Sequence, residues 1–219
     1  MIVRRCKATA GEFHTRTLEP NEVWFVETSR EAVVLGSRQD VSLLDLGRCN
    51  QERVDVVERR SGGGIVHLVP GKHVWVDVTI SDQHPRWTDD VIVSMRWLGE
   101  AWVRALTELG FESSVYRDRL QADSLGELIC FASLGSGEVV DQSGAKLVGI
   151  SQRRTRSTAR FQCTVLTGWE PERLLGFLAN TAQAPLGTQA ADELRRRVAV
   201  VDCKLSDLES AFEHALLTP

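Results

Sequence analysis

No stretch of this chain approaches the apolar run needed to cross a bilayer, and residues 1–13 lack the apolar core of a secretory leader. A soluble, cytoplasmic protein with no membrane partner is expected. Cysteine is sparse: Cys6, Cys49, Cys130, Cys163 and Cys203 are odd in number, scattered, and form no C-x-x-C pair. That spacing argues against structural zinc and a secreted disulfide framework, and fits a reducing compartment. Charge of one sign is also in short supply. With 26 basic against 30 acidic residues the formal net charge is −4, which argues against holding nucleic acid or anionic lipid by bulk electrostatics. Linkers, repeats and low-complexity tracts are absent too. A chain of 219 residues that is 42% hydrophobic is expected to bury one core, so residues 1–219 are read as a single domain.

What is present centres on Arg59-Arg60-Ser61-Gly62-Gly63-Gly64, a loop between β-type runs. Three successive glycines cost conformational entropy and pack nothing, so they belong where the chain needs positive φ or where something approaches the main chain closely. The adjacent arginines make that something an anion, a phosphate or carboxylate able to take forked hydrogen bonds. The alternative is a tight turn with solvated arginines. Strand patterns recur at residues 32–35, 54–57, 73–80, 138–140, 146–152 and 160–166, and Val74, Val76, Val78 and Ile80 alternate as in a half-buried strand. One long helix is predicted from an N-cap at Thr88, with Asp89 and Asp90 in its first turn and Gly110 as its stop. Shorter helices are predicted at Pro171 and near Thr188, and a last one opens with a capping-box pattern at Ser206-Asp207-Leu208-Glu209. Short turns between strands and few helices predict an α+β fold: a mixed, mainly antiparallel sheet flanked by helices.

A second constellation lies in residues 138–149. A three-residue hairpin loop, Gln142 to Gly144, places Gly144 at a left-handed position, sets Val140 opposite Lys146 and Glu138 opposite Val148, and sends Glu138 and Lys146 to one face. There they serve a magnesium ion and an activated acid respectively, or simply form an ion pair on a solvated surface.

Together these segments resemble the lipoate-protein ligase family, within the wider group that also holds biotin-protein ligases and octanoyltransferases. The resemblance runs from about residue 32 to the C-terminal helix. Residues 32–36 with Gln39 look like the family's opening strand and Gly-x-x-Gln turn. Residues 59–64 match its Arg-Arg-x-Gly-Gly-Gly signature, and Lys146-Leu147-Val148-Gly149 its Lys-x-x-Gly. The resemblance implies a class II synthetase-like, biotin/lipoate ligase-like fold and a two-step reaction with ATP and Mg²⁺. A lipoic or octanoic acid becomes an acyl-adenylate, and a lysine on a carrier domain then takes the acyl group. The carrier would be the lipoyl domain of a 2-oxoacid dehydrogenase or of a glycine cleavage protein. Arg60 and Lys146 are the implied catalytic residues, Lys146 as an exposed electrostatic group and not a base. Ser61, Gly62, Gly63, Gly64 and Gly149 are implied in binding the adenylate, and Glu138 the metal.

Departures from the pattern open alternatives. Leu68-Val69-Pro70-Gly71-Lys72 stands where many lipoate ligases carry a His-Asp-Leu-Gly-Asn type segment, which leaves His67, one position displaced, as a structural residue or a modest contributor. Phe161-Gln162-Cys163 stands where Gln-His-Gly is often found, so the acyl pocket is expected to differ. A biotin-type Gly-Arg-Gly-x-x-x-Arg-x-Trp loop is missing, which makes a biotin-type ligase the weaker alternative, kept open by Trp75 in the following strand. No accessory C-terminal domain like that of many lipoate ligases is expected here, which would imply either a companion subunit or a different mechanism. Octanoyltransferases of the group pass the acyl chain from a carrier protein through a cysteine, for which Cys130 is the candidate and Cys163 the second. A non-catalytic binder is the third class: Arg153, Arg154, Arg156 and Arg160 would bind RNA or steer an acidic carrier domain, though the net charge disfavours nucleic acid.

Overall fold

The computed structural model describes residues 1–218 and divides the strand-forming segments between two sheets. The strands are β1 (Ile2–Ala8), β2 (Glu22–Thr28), β3 (Ala32–Leu35), β4 (Asp55–Glu58), β5 (Val66–Leu68), β6 (His73–Ser81), β7 (Ser114–Val115), β8 (Val139–Val140), β9 (Lys146–Arg154) and β10 (Thr158–Leu166). The larger sheet has the order β1-β2-β6-β10-β9-β8-β7 and is antiparallel except for the β1–β2 pair. The smaller has the order β4-β3-β5, with β3 parallel to β4 and antiparallel to β5. Helices are α1 (Ala10–Thr15), α2 (Leu46–Gln51), α3 (Arg96–Glu108), α4 (Ser124–Leu128), α5 (Pro171–Leu175), α6 (Asn180–Gln183), α7 (Ala190–Arg197) and α8 (Leu205–Leu217). The mixed, mainly antiparallel α+β class is as predicted. The second sheet, the elements before residue 32, and α2, α4, α6 and β7 were not, and eight α-helices stand among the described residues where few were expected.

β6 is not half-buried as its alternation suggests. Val74, Val76, Val78 and Ile80 pack on one side with α3 and α8, where Trp102 stacks on Phe212 with ring centroids 3.7 Å apart. Trp75 faces the other way, into a cluster with Phe13 of α1, Val34 of β3 and Leu68 of β5. A central strand thus has a core on both faces, and its second face keeps polar residues, Asp77 and Thr79, that are also buried. Charged or polar side chains persist inside only where partners satisfy them, so this second face is where a site belongs.

Two helix starts differ from expectation, and in both the capping chemistry is spent elsewhere. Thr88 and Asp90 do accept main-chain N–H groups, from Asp90 and from Ile92 and Val93, yet they cap an isolated turn. α3 itself begins at Arg96 without a side-chain cap, while Gly110 ends it at φ 85° as predicted. Ser206 hydrogen-bonds its neighbour Asp207, and α8 starts from Lys204. Among the described residues no helix is long and apolar enough to cross a membrane.

The stack between α3 and α8 lies in the main core, with both rings fully buried. Trp102→Ala is expected to cost about 3–5 kcal/mol, as for other large aromatic truncations in cores. Denaturant titration checks it through a lowered midpoint at unchanged slope.

Candidate functional site

The glycine loop is built around contact with residues 128–130. A Cβ on Gly64 would lie 2.7 Å from the Cys130 nitrogen and 2.8 Å from the carbonyl carbons of Leu128 and Ile129, so only glycine lets the two main chains meet. Gly63 has φ 98°, and a methyl group there would stand 2.9 Å from Arg59 Nη2 and 3.7 Å from Cys130 Sγ. Gly62 faces open space. The meeting is locked by two main-chain bonds, Ile65 N–H to the Leu128 carbonyl at 2.7 Å and Cys130 N–H to the Ile65 carbonyl at 2.9 Å. The Gly36-x-x-Gln39 turn adds a third tie: Gln39 Oε1 accepts from Gly36 N–H, and its Nε2 donates to the carbonyls of Leu128 and Glu127. Cys130 opens a short 3₁₀ turn, Cys130–Ala132, and is half-buried.

Arg59 points inward and Arg60 outward. The Arg59 guanidinium is buried and donates to the carbonyls of Val34, Gly62 and Gly64, so it holds the loop's shape from within. Burial lowers its pKa, while Cys130 and Glu138 act in the opposite sense. It stays cationic because its ordinary value is so high. Its charge therefore lies beside the thiol. Main-chain N–H groups of residues 61–64 donate to no protein acceptor among the described residues, which leaves them free for a ligand's oxygen.

Two cavities flank this loop. The first is mostly apolar, with Val34, Val66, Leu68, Trp75 and Ile150 on its walls and Arg59, Cys130 and Gly149 also lining it. Its lining suits an apolar group. The second is basic: Arg16, Arg60, Arg153 and Arg160 line it, with Ser61 and without any carboxylate. His14 and Gln162 border both. One hydrogen-bonded network fixes that border. Ser61 Oγ donates to Gln162 Oε1 at 2.7 Å and accepts from Ser151, and Gln162 Nε2 reaches His14 Nδ1 and Asp77 Oδ2. Asp77 is held in turn by Trp75 Nε1 at 2.6 Å and Arg160 Nε at 2.5 Å. Burial, with Arg160 and Arg59 nearby, pulls the His14 pKa down to about 3, so the imidazole between the cavities is neutral at ordinary pH.

Glu138 and Lys146 do meet, but not on a solvated face. Gly144 is left-handed at φ 85° and Val140 opposes Lys146 as predicted, whereas a bulge puts Val139, and not Glu138, opposite Val148. The Lys146 side chain is 0% exposed; Nζ lies 2.8 Å from the Glu138 carboxylate and 2.8 Å from the Cys130 carbonyl. The expected exposed lysine is therefore a buried one, enclosed against Phe131. Each Glu138 oxygen is taken: Oε1 by Lys146 and the Ile150 N–H, Oε2 by Lys146 and the Gly135 N–H. With its lone pairs committed to N–H donors, this carboxylate does not fit a magnesium ligand, and among the described residues no group of three metal-binding side chains is found. Cys163 is also unsuited to chemistry. It lies fully inside the main core, where burial pushes its thiol up to about 12.

Of the residues singled out from sequence, Ser61, Gly62, Gly63, Gly64, Gly149, Lys146, Glu138 and Cys130 converge on one region, and Arg60 faces the basic cavity. His67 is structural, bonded to Glu31 at 2.8 Å. Arg59 was read with Arg60 as an anion-binding group and instead holds the loop from within, Gln162 stands in the segment expected to alter the acyl pocket and does line the apolar cavity, and His14 and Ser151 were not singled out from sequence. The pair Lys146–Glu138 generates a stability expectation: Lys146→Ala strands a buried carboxylate and is expected to cost about 3–5 kcal/mol, whereas Lys146→Met with Glu138→Gln is expected to cost markedly less. Chemical denaturation of the single and double variants measures the difference.

Comparison with known proteins agrees with this geometry. The model of the lipoyl protein ligase A/B catalytic domain matches residues 8–211. Octanoyltransferase LipM of Kyrpidia tusciae is 32% identical over 161 residues, 71% of this chain, and the match spans about half, 55%, of that relative's length. Among solved structures, the bipartite lipoate protein ligase of Thermoplasma acidophilum superposes with a TM-score of 0.76 at 17% identity, covering 98% of this chain and 81% of that one. A lipoate-protein ligase A bound with ATP gives 0.73 at 16% identity, covering 98% and 83%. The match begins well before residue 32, where the sequence resemblance was first legible, and takes in α1 with its cavity residue His14. A glycine loop welded to a cysteine-bearing turn, on the catalytic-domain fold of these enzymes and matched along nearly its whole length, makes this chain a member of the lipoyl protein ligase A/B family.

Proposed function

We propose that this protein transfers an octanoyl or lipoyl group to a lysine of a lipoyl carrier domain through a thioester on Cys130. The observation that carries this is the place of Cys130: at the side of an apolar cavity, beside Arg59, with its main chain gripped by the glycine loop. A relative named as an octanoyltransferase supports it. The acyl chain would lie among Val34, Val66, Leu68 and Trp75, where apolar area leaves water at roughly 25 cal/mol per Å².

In the first step Cys130 Sγ attacks the carbonyl carbon of a thioester donor. A new S–C bond forms, the donor's C–S bond breaks, and its sulfur leaves with the proton that Cys130 gave up. In the second, a neutral lysine amine of the carrier domain attacks the enzyme thioester; the amide forms, and the Cys130 sulfur departs with a proton from that nitrogen. Free N–H groups of the glycine loop would take the carbonyl oxygen as it gains charge, and Arg59 would add a fixed cation beside it. Lys146 acts one layer back, through the Cys130 carbonyl it holds. The expected acceptor is the lipoyl domain of a 2-oxoacid dehydrogenase or glycine cleavage protein.

Acid activation by ATP, with Arg60 at the phosphate, is a second reading, favoured by the arginines of the basic cavity. It routes nothing through Glu138. Intact-mass spectrometry separates the two. Incubation with an octanoyl thioester is expected to add one octanoyl group to the wild-type protein and to Cys163→Ala, and none to Cys130→Ala. An octanoylated carrier domain produced by Cys130→Ala from ATP and octanoic acid would overturn the cysteine mechanism.

A further inference from the structure

We propose that the imidazole of His14, held with its proton on Nε2, donates a hydrogen bond to the carbonyl oxygen of the bound acyl group. This rests on the thioester reading of the site and adds a catalytic residue to it.

The tautomer follows from a chain of bonds on one face of the larger sheet. The register of β6, β10 and β9 sets Asp77, Gln162 and Ser151 side by side. Both Asp77 oxygens accept, Oδ1 from Trp75 Nε1 at 2.6 Å and Oδ2 from Arg160 Nε at 2.5 Å. The end of Gln162 that lies 3.3 Å from Oδ2 is therefore its amide nitrogen, and the same nitrogen stands 3.2 Å from His14 Nδ1. Ser61 meets the other end, Oε1, at 2.7 Å. Nδ1 faces a donor and so accepts, which puts the ring's single proton on Nε2. The ring carries only one because burial, with Arg160 and Arg59 nearby, holds its pKa at about 3.

The ring is also fixed in place. Arg160, which grips Asp77, donates to the carbonyls of Phe13 and Arg16, the residues flanking this stretch of chain. The imidazole lies against Trp75 with ring centroids 4.8 Å apart, and His14 is 8% exposed. Among the described residues its Nε2 has no hydrogen-bond partner, yet it is not sealed in the interior as His67 Nδ1 is. His14 lines the same apolar cavity as Arg59 and Cys130. A polar N–H without a partner in a mostly apolar wall points to an acceptor on the ligand.

An alkyl chain offers no acceptor, whereas the acyl carbonyl does, and His14 stands toward that end. Gln162 ties it to Ser61 of the glycine loop, and the Arg59 charge that lies beside Cys130 is close enough to depress its pKa. In this role His14 neither gains nor loses a proton. The bond changes are those already given, and the ring adds one preorganised N–H as negative charge builds on the oxygen. A neutral imidazole can polarise a carbonyl in this way.

Two measurements test the proposal. Nitrogen–proton correlation NMR spectra of the wild-type histidine rings are expected to show His14 protonated at Nε2, with that proton moving downfield when octanamide, an unreactive acyl carbonyl, binds. The Trp75 indole signal reports binding independently. A proton on Nδ1, or an Nε2–H that stays unmoved while the Trp75 signal shifts, would overturn the proposal. A moving Nε2–H in a protein that forms no acyl-enzyme would support the carbonyl contact and remove the thioester reading. Kinetically, His14→Phe keeps a ring against Trp75 and removes the N–H. Acylation of Cys130 by an octanoyl thioester is expected to lose about 100-fold in kcat with KM changed less than about threefold, as when other oxyanion donors are removed. His14→Gln, which restores a donor, is expected to recover about tenfold of that loss. An unchanged kcat in His14→Phe, or a loss confined to KM, would assign His14 to packing and overturn the proposal.

Discussion

Gly64 has no room for a side chain, and the site depends on that fact. Its Cα faces the main chain of residues 128–130 so closely that a single methyl group would push the two segments apart. With the methyl absent, the loop and the Cys130 turn share a pair of main-chain bonds, and the thiol, the Arg59 guanidinium and the free loop amides fall within one small volume. None of these groups is unusual alone. Their value lies in being fixed before a ligand arrives, because ordering them afterwards would cost conformational entropy.

Charge is handled in two ways around this volume. Arg59, Glu138 and Lys146 are buried and thoroughly bonded: Arg59 to three carbonyls, Glu138 to four N–H contacts, Lys146 to a carboxylate and a carbonyl. Such groups shape the site and hold a field in it; a buried pair of this kind contributes little net stability yet tolerates no loss of one partner. Arg16, Arg60 and Arg153 face a hollow without a counter-charge and keep their donors for something else. The first set is architecture that reaches the chemistry through Cys130, and the second is a surface for recognition.

The loop and the hairpin were legible in the sequence because both rest on local rules. Consecutive glycines next to arginines announce a main-chain binding loop, and the position of Gly144 fixes the loop that sets Val140 opposite Lys146. Glu138 reached Lys146 by a different register, since a bulge between Val139 and Val140 has no signature beyond the hairpin itself. Burial of Lys146 was invisible for a similar reason: its cover comes from Phe131 and the Cys130 turn, segments that a strand pattern does not locate. Arg59 and Arg60 read identically in one dimension, and only the path of the loop makes one structural and the other open to the cavity. Thr88 and Ser206 show the converse, good capping residues whose hydrogen bonds stay local while packing against β6 decides where α3 and α8 begin. The polar face of β6 was hidden by the assumption that a strand with polar alternation faces water, when it faces a second sheet.

The most direct test of the central claim is a crystal structure of the Cys130→Ser protein with an octanoyl thioester bound. Electron density for the acyl chain is expected between Val34, Leu68 and Trp75, with the thioester carbonyl oxygen within hydrogen-bonding distance of the main-chain N–H groups of residues 62–64 and its carbon facing the residue 130 hydroxyl. Density for the chain elsewhere, or a carbonyl turned away from the glycine loop, would contradict the site described.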